Sequence, residues 1–461
     1  MRLLLYNWCP IQDSEGGGIA VYIRNLLTYI QENGSDIEPV FLSSGFYYDN
    51  KKIPYVREET AIFGAKVFSL VNSPVYAPMR APDNNFVTML TDETLIPVFQ
   101  EFINEQGPFD VIHFNTFEGL SLKVLSVKNN LANTKFVYSV HNYTSVCPNV
   151  MLWTEQGENC ETAACKDNCH ICMQRYNRPG IRTLKLSRRL LEKKHGKLYY
   201  YTRGYKFVSR KFFPVKKGKT PQIYQEYVRE SIECINRYID TVLAVSEKVR
   251  DILVRRGVDS QKTQVCYIGT KFAEMAVGKA RANPEASPFG IVYMGYMREE
   301  KGFYFLLEAL ERIKPDLAAN IRVTLASKVT DRSAAKRIEA LKQKYSEIRL
   351  FNGYQHKDIP DILNNAHVGI VPVLWEDNLP QVAIEMIASG VPVLASSFGG
   401  ASELNGSDAF RFEGGNMDDF IYRLSALYKD REKLNEYWAQ ARPLTTMSMH
   451  LSELRKVYGD P

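Results

Sequence analysis

The sequence predicts an α/β protein with two Rossmann-like parallel-sheet domains facing each other across a cleft. Three observations support this. First, short apolar, β-branched runs alternate with amphipathic helical stretches along most of the 461 residues, the pattern of a parallel sheet covered on both faces. Second, the alternation comes in two series, separated by a polar, Ala-, Gly- and Pro-rich piece at 271–288. Third, the stretch 368–404 contains a complete strand, acidic turn, helix, glycine break, strand and glycine-rich turn. Its helix begins just beyond a strand's carboxyl end, where unpaired N–H groups and the helix dipole attract an anion.

Taken in order, a first strand is expected over 2–8. The glycines Gly16, Gly17 and Gly18 then open a helix over 19–31, with apolar residues at helical spacing. A glycine loop between strand and helix resembles a dinucleotide turn without its usual spacing, and Gly17 and Gly18 become candidate ligand-facing positions. Strands follow at 39–44 and 66–70, one amphipathic helix at 86–106, and strands at 110–115 and 135–141. Polar residues just past such strands line the crevice of an open parallel sheet, which singles out His113, Asn115 and above all His141. After the insertion come a helix at 221–238, a strand at 241–246, a helix at 247–256 and a strand at 264–268.

The second series runs strand 289–296, helix 303–313, strand 321–327, helix 333–345, strand 348–351, short helix 357–365, and then the 368–404 unit. Within that unit Leu379 and Pro380 precede the helix, with proline expected at its first position. A strand at 408–412 and helices at 418–428 and 432–458, broken at Pro443, finish the chain. The division expected is 1–270 as a first Rossmann-like domain, with an insertion at 147–220, and 271–443 as a second. The helix over 444–461 is expected to pack back on the first domain.

Composition limits the function classes. The chain is 45% hydrophobic and 24% charged, with no apolar run near the roughly 18 residues that a membrane span needs. The first residues form a strand and loop rather than a signal peptide, so a cytoplasmic protein is expected. The net charge of +6 hides an asymmetry: residues 175–219 carry 16 Lys and Arg against one acid, Glu192. Interleaved tyrosines and phenylalanines make that stretch a candidate for an anionic membrane surface; single-stranded nucleic acid and a plain solvated insertion are the rivals. Membrane is preferred, with no nucleic-acid partner.

Just before it lie five of the eight cysteines, Cys147, Cys160, Cys165, Cys169 and Cys172. The spacing C-x4-C-x3-C-x2-C over Cys160, Cys165, Cys169 and Cys172 suits a tetrahedral structural zinc site. A disulfide or plain loop thiols are the other readings.

The turn 295–302 sets Arg298 and Lys301 at the mouth of the second domain's first strand. Cations, helix N–H groups and the Gly399–Gly400 turn make a diphosphate site that needs no metal. Asp377 and Glu385 would repel phosphate and make sense as acceptors for sugar hydroxyls, Glu385 for a ribose diol and Asp377 for a second sugar. A ligand with ribose, diphosphate and a second sugar is a nucleotide sugar.

These residues resemble those of retaining glycosyltransferases of the GT-B fold, family 4. The run from Asp377 to Glu385 followed by SGVPVLASSFGGASEL matches that family's acid, seven residues, Glu and following strand, with Asp377 where Glu is usual; Glu376 is the alternative for that acidic position, with eight residues between it and Glu385. Gly295 to Gly302 matches its G-R-x-x-x-x-K-G turn, with Tyr296 where Arg is usual. The glycine loop and the strand ending in His141 are similar too, with Asn142 where many relatives have Asp. The stretch HNYTSVCPN and the cysteines behind it resemble a branch that builds bacterial surface polysaccharides. The resemblance implies hexosyl transfer with retention from a nucleotide-diphosphate sugar to a saccharide, lipid-linked acceptor. It implies work at the inner face of the membrane and no cofactor for catalysis. His141, Lys301, Asp377 and Glu385 would be catalytic. Gly17, Gly18, Arg298, Lys301, Tyr354, Asn378, Leu379, Pro380 and Glu385 would bind the donor. A nucleotide-sugar-binding protein without catalysis, a phosphorylase-like enzyme and a nucleic-acid-binding basic segment are the alternatives.

Overall fold

The computed structural model describes residues 1–12, 17–33, 36–79, 83–161, 168–173, 222–274 and 282–459. They form two α/β bodies. The first is built on an eight-stranded sheet in the order β3-β4-β2-β1-β5-β6-β7-β8. Its strands are β1 (Arg2–Tyr6), β2 (Glu38–Ser44), β3 (Tyr55–Ile62), β4 (Ala65–Val71), β5 (Val111–Phe114), β6 (Lys135–Val140), β7 (Thr241–Ala244) and β8 (Thr263–Val265). All neighbours are parallel except β3 and β4. The second body is built on an all-parallel sheet in the order β11-β10-β9-β12-β13-β14. These are β9 (Phe289–Met294), β10 (Ile321–Ala326), β11 (Glu347–Phe351), β12 (Val368–Val371), β13 (Val393–Ser396) and β14 (Arg411–Phe412).

The central strands β1, β5, β9 and β12 are buried almost throughout, as continuous apolar runs require when helices cover both faces. Both sheets reverse direction of winding at their first strand, beside β1–β5 and β9–β12, so a crevice opens at those carboxyl ends.

Several expectations are corrected. The antiparallel edge strand β3 (YVREETAI) is missing from the sequence reading, because its charged, part-exposed residues lack a buried strand's signature. The stretch 86–106 is two helices, Asp83–Thr91 and Leu95–Gln106. Asp92 divides them: its carboxylate accepts from the Leu95 N–H at 3.3 Å and from the Thr94 hydroxyl. Pro380 is extended at the cap (φ −69°, ψ 123°) and the helix starts one residue later, as Gln381–Ala388. Of 408–412, only Arg411–Phe412 pairs as a strand, after a 3-10 turn at Asp408–Phe410. The break expected at Pro443 is present, since the last helical stretch divides into Lys433–Gln440 and Met447–Tyr458 on either side of it.

The helix Met447–Tyr458 lies against the first body. The Tyr458 hydroxyl is hydrogen-bonded to His113 Nδ1 at 2.7 Å, and His450 Nε2 to the Tyr22 hydroxyl at 2.7 Å. Arg455 pairs with Asp36. Gly269 allows this approach, since a Cβ there would stand 2.6 Å from the His450 Cβ. The two bodies also meet at the helix Glu247–Arg255. Glu403, from the second body, accepts its first two N–H groups, Glu247 at 2.9 Å and Lys248 at 2.6 Å. A carboxylate at a helix N-terminus satisfies orphan donors and opposes the dipole. No helix among the described residues is long and apolar enough to cross a membrane.

Candidate active site

The acidic turn between β12 and the helix Gln381–Ala388 interlocks with the glycine turn after β13. Gly400 N–H donates to the Asp377 carbonyl at 2.8 Å, and Gly399 N–H to Glu376 Oε2 at 2.8 Å. Gly399 has φ +72°, and a Cβ on it would stand 2.3 Å from the Asp377 carbonyl oxygen. Only glycine combines that conformation with that approach.

The three carboxylates of this unit are all buried and differently employed. Glu376 is held by protein: Asn159 Nδ2 donates to it at 3.1 Å, Gly399 N–H donates at 2.8 Å, and Lys248 Nζ lies at 3.6 Å. Asp377 receives Lys301 Nζ at 2.6 Å. Lys301 also stands over the Trp375 ring, 4.9 Å from its centroid. Glu385 lies inside the helix, with His356 Nδ1 3.5 Å from its carboxylate as an ion-pair partner when protonated. Burial pushes the Glu385 carboxyl up to about 7. The neighbouring Tyr354 is half-buried, and its hydroxyl is pushed up by burial and then by the Glu385 charge.

Lys301 reaches Asp377 because Gly302 (φ +72°) turns the chain against β12's end; a Cβ there would stand 1.7 Å from the Pro372 carbonyl oxygen. Arg298 is not part of this cluster. Its guanidinium is more than half exposed, 3.6 Å from Glu300 and 5.0 Å from the Tyr296 ring centroid. Around the acidic turn, Asn378 Nδ2, Trp375 Nε1 and the Tyr143 hydroxyl are buried without a hydrogen-bond partner among the described residues. Buried polar atoms normally find partners, so three orphans around one turn mark a place for a polar ligand. Leu379 and Pro380 are buried beside them.

His141 follows β6 on the opposite wall. Its Nε2 is 3.1 Å from Asn115 Oδ1, and its ring packs on Tyr22 with centroids 4.7 Å apart. Burial, then the neighbouring His450, lowers its pKa to about 3, so the ring is neutral at ordinary pH. Asn115 Nδ2 donates to the Tyr6 carbonyl, which leaves Oδ1 to accept from His141. His113, by contrast, is fully buried between Tyr458 and Ser139 and serves packing. Gly17 and Gly18 are exposed, and a Cβ on either would meet nothing within 4 Å, so open space adjoins them. Gly16 lies outside the described residues.

Of the cysteines, Cys160, Cys169 and Cys172 line one small cavity, joined by Cys147. Cys165 lies outside the described residues, as does the basic stretch 175–219. Residues absent from the sequence reading are Glu376's partners Asn159 and Lys248, the cap Glu403, and the pair Tyr22 and His450. Their contacts carry no local spacing signal, since each acts across more than a hundred residues or between the two bodies.

Residues 288–430 match the family model described as Glycosyl transferases group 1. No curated protein matches. Among solved structures, the Anabaena protein Alr3699/HepE in complex with UDP and glucose is similar over 99% of both chains, at 14% identity and a TM-score of 0.57. Sucrose-phosphate synthase from Thermosynechococcus elongatus is similar over 99% of this chain and 98% of that one, at 15% identity and a TM-score of 0.60. The lipopolysaccharide outer core galactosyltransferase WaaB, in its apo form, is similar over 100% of both chains, at 12% identity and a TM-score of 0.58. The chain therefore has the GT-B glycosyltransferase fold, with residues 288–430 matching the Glycosyl transferases group 1 family.

Proposed function

We propose that this protein transfers a hexosyl group, with retention, from a nucleoside-diphosphate sugar to a saccharide acceptor carried on a lipid. The observation that carries the reading is the cluster at the second sheet's crevice: the Lys301–Asp377 pair, the buried Glu385, and Asn378 Nδ2, without a partner among the described residues, before the helix start. The matched family model and the UDP and glucose held by the Anabaena protein support it.

In this reading the diphosphate lies at the start of the helix Gln381–Ala388, where free N–H groups and Lys301 offset its charge. Glu385 accepts the ribose diol, and Tyr354 lies beside it. Asp377 gives up part of its contact with Lys301 and accepts a donor-sugar hydroxyl. Glu376, fully engaged by protein, holds the turn, which leaves Asp377 as the sugar contact. Neutral His141 orients a sugar hydroxyl from the far wall, while Gly17 and Gly18 let the ligand approach the backbone. Arg298 reaches the diphosphate only by swinging from its resting place. The acceptor hydroxyl attacks the anomeric carbon on the face the diphosphate leaves. The C–O bond to phosphate breaks as the new C–O bond forms, and the hydroxyl proton passes to the departing phosphate oxygen. Most of the rate then comes from stabilising the leaving diphosphate.

The same proposal assigns 1–270 to the acceptor side, 271–443 to the donor side, and 444–461 to the crossing helix. It places the basic stretch 175–219 on anionic lipid, with the enzyme peripheral at the inner face of the membrane. Sugar release and transfer from a panel of nucleotide sugars test the activity. Strict dependence on free phosphate would instead make it a phosphorylase, and no release from any donor would leave only binding. Vesicle sedimentation over a salt series, against RNA, tests the surface.

A further inference from the structure

Cys147, Cys160, Cys169 and Cys172 wall a cavity of about 20 Å³ together with Pro148, Asn149 and Trp153. That volume accommodates a single water or ion. Among the described residues no carboxylate or imidazole lines it, and the ligands it offers are chiefly the four sulfurs. Cys169 and Cys172 both lie in the short helix Cys169–Met173 at C-x2-C spacing, which lets two ligands come from one turn. Cys147 and Cys160 come from the preceding loop. That loop is pinned by Cys160 N–H donating to the Leu152 carbonyl at 2.7 Å and by a bridge between Trp153 and Asn159.

We propose that Cys147, Cys160, Cys169 and Cys172 bind one structural zinc ion that clasps the cysteine loop onto the donor-side body. Four thiolates with no oxygen or nitrogen ligand favour zinc in a closed tetrahedral site, and each sulfur gives up its proton to solvent on binding. Bound zinc holds sulfurs about 3.8 Å apart. The quartet is looser than that here, since Cys266, His450 and Glu453 form the group of described residues whose ligand atoms all lie within 4.8 Å. Zinc therefore tightens the loop rather than filling a finished cage. The loop it tightens touches both donor turns. Asn159 donates to Glu376 at 3.1 Å, and Gly157 lies so close to Glu299 that a Cβ would stand 2.9 Å from its carboxylate. Glu161, next to Cys160, accepts from Arg255 at 3.0 Å and from Arg256. The effect on donor binding rests on the function proposed above; the metal itself does not.

Metal analysis of the purified full-length chain tests this, with zinc removal and re-addition followed by circular dichroism and by nucleoside-diphosphate binding. The expected result is about one zinc per chain, retained in Cys165→Ser and Cys266→Ser and lost in Cys169→Ser/Cys172→Ser. Stripping zinc from the wild-type chain is expected to lower its melting temperature and re-addition to restore it, which keeps the test independent of how the double variant folds. An iron centre, a disulfide within the quartet, no bound metal, or metal lost with Cys266→Ser would overturn the proposal. Zinc bound as expected with no effect on nucleotide binding would retain the site and remove the clasp.

Discussion

At the scale of residues, the site separates two neighbouring carboxylates that sequence spacing alone leaves nearly equivalent. Glu376 has three protein partners, and Asp377 has one, Lys301. Glu376→Gln is therefore expected to lower stability more than turnover, and Asp377→Asn to lower turnover with little change in melting temperature. Comparing melting curves with kcat separates the two. Lys301→Ala is expected to lower transfer by about 10²- to 10³-fold, the loss typical of removing one group that stabilises a leaving charge. Glu385 sets a pH dependence. Its carboxyl is raised to about 7 by burial, and only the ionised form accepts both hydroxyls of a diol. Nucleoside-diphosphate affinity should then rise as pH rises through about 7, and Glu385→Gln should be weak and flat over that range in calorimetric titration. These residues were legible in the sequence because they sit at fixed offsets around one strand–helix unit. Arg298 was read there too, yet its side chain rests on Tyr296 and Glu300, since spacing fixes a backbone position and not a rotamer.

At the scale of elements, most strands and helices announced themselves through buried, β-branched runs and helical periodicity. The exceptions have physical causes. β3 is an antiparallel edge whose charged residues face solvent, so no apolar run marks it. The break at Asp92 turns on one side chain competing for backbone N–H groups. Pro380 stands at the cap, because its extended ψ carries the chain out of the acidic turn before the helix begins. The cap on Glu247–Arg255 was invisible, since the carboxylate that completes it comes from Glu403 in the other body. Glu403→Ala removes the acceptor of two N–H groups and of the Tyr267 hydroxyl. It is expected to destabilise the chain by about 1–3 kcal/mol, read as a shift in denaturant midpoint.

At the scale of the whole molecule, three histidines gather where the last helix crosses to the first body, His113 and His450 buried and His141 half-buried. His113 and His141 are lowered to about 3 and His450 to about 4, all chiefly by burial. Unfolded histidine binds protons from about pH 6.5 downward. Below that point the unfolded chain takes up protons that the folded chain refuses until about pH 3–4, so these groups favour unfolding as pH falls. Their contribution is intact above pH 6.5, and the melting temperature should drop progressively between about 6.5 and 4. His450→Gln, which takes no proton, should flatten part of that slope. The crossing itself was legible only as a terminal amphipathic helix; its partners Tyr22 and His113 lie over 300 residues away.

We propose sugar transfer from a nucleotide donor by the Lys301, Asp377 and Glu385 cluster. Its most direct test follows the anomeric proton by NMR while the wild-type chain and Lys301→Ala act on a panel of nucleotide sugars with saccharide acceptors. The expected result is one donor consumed by the wild-type chain, a product with the donor's anomeric configuration, and a rate lower by about 10²-fold or more in the variant. An inverted product, or equal rates in the two proteins, would contradict it.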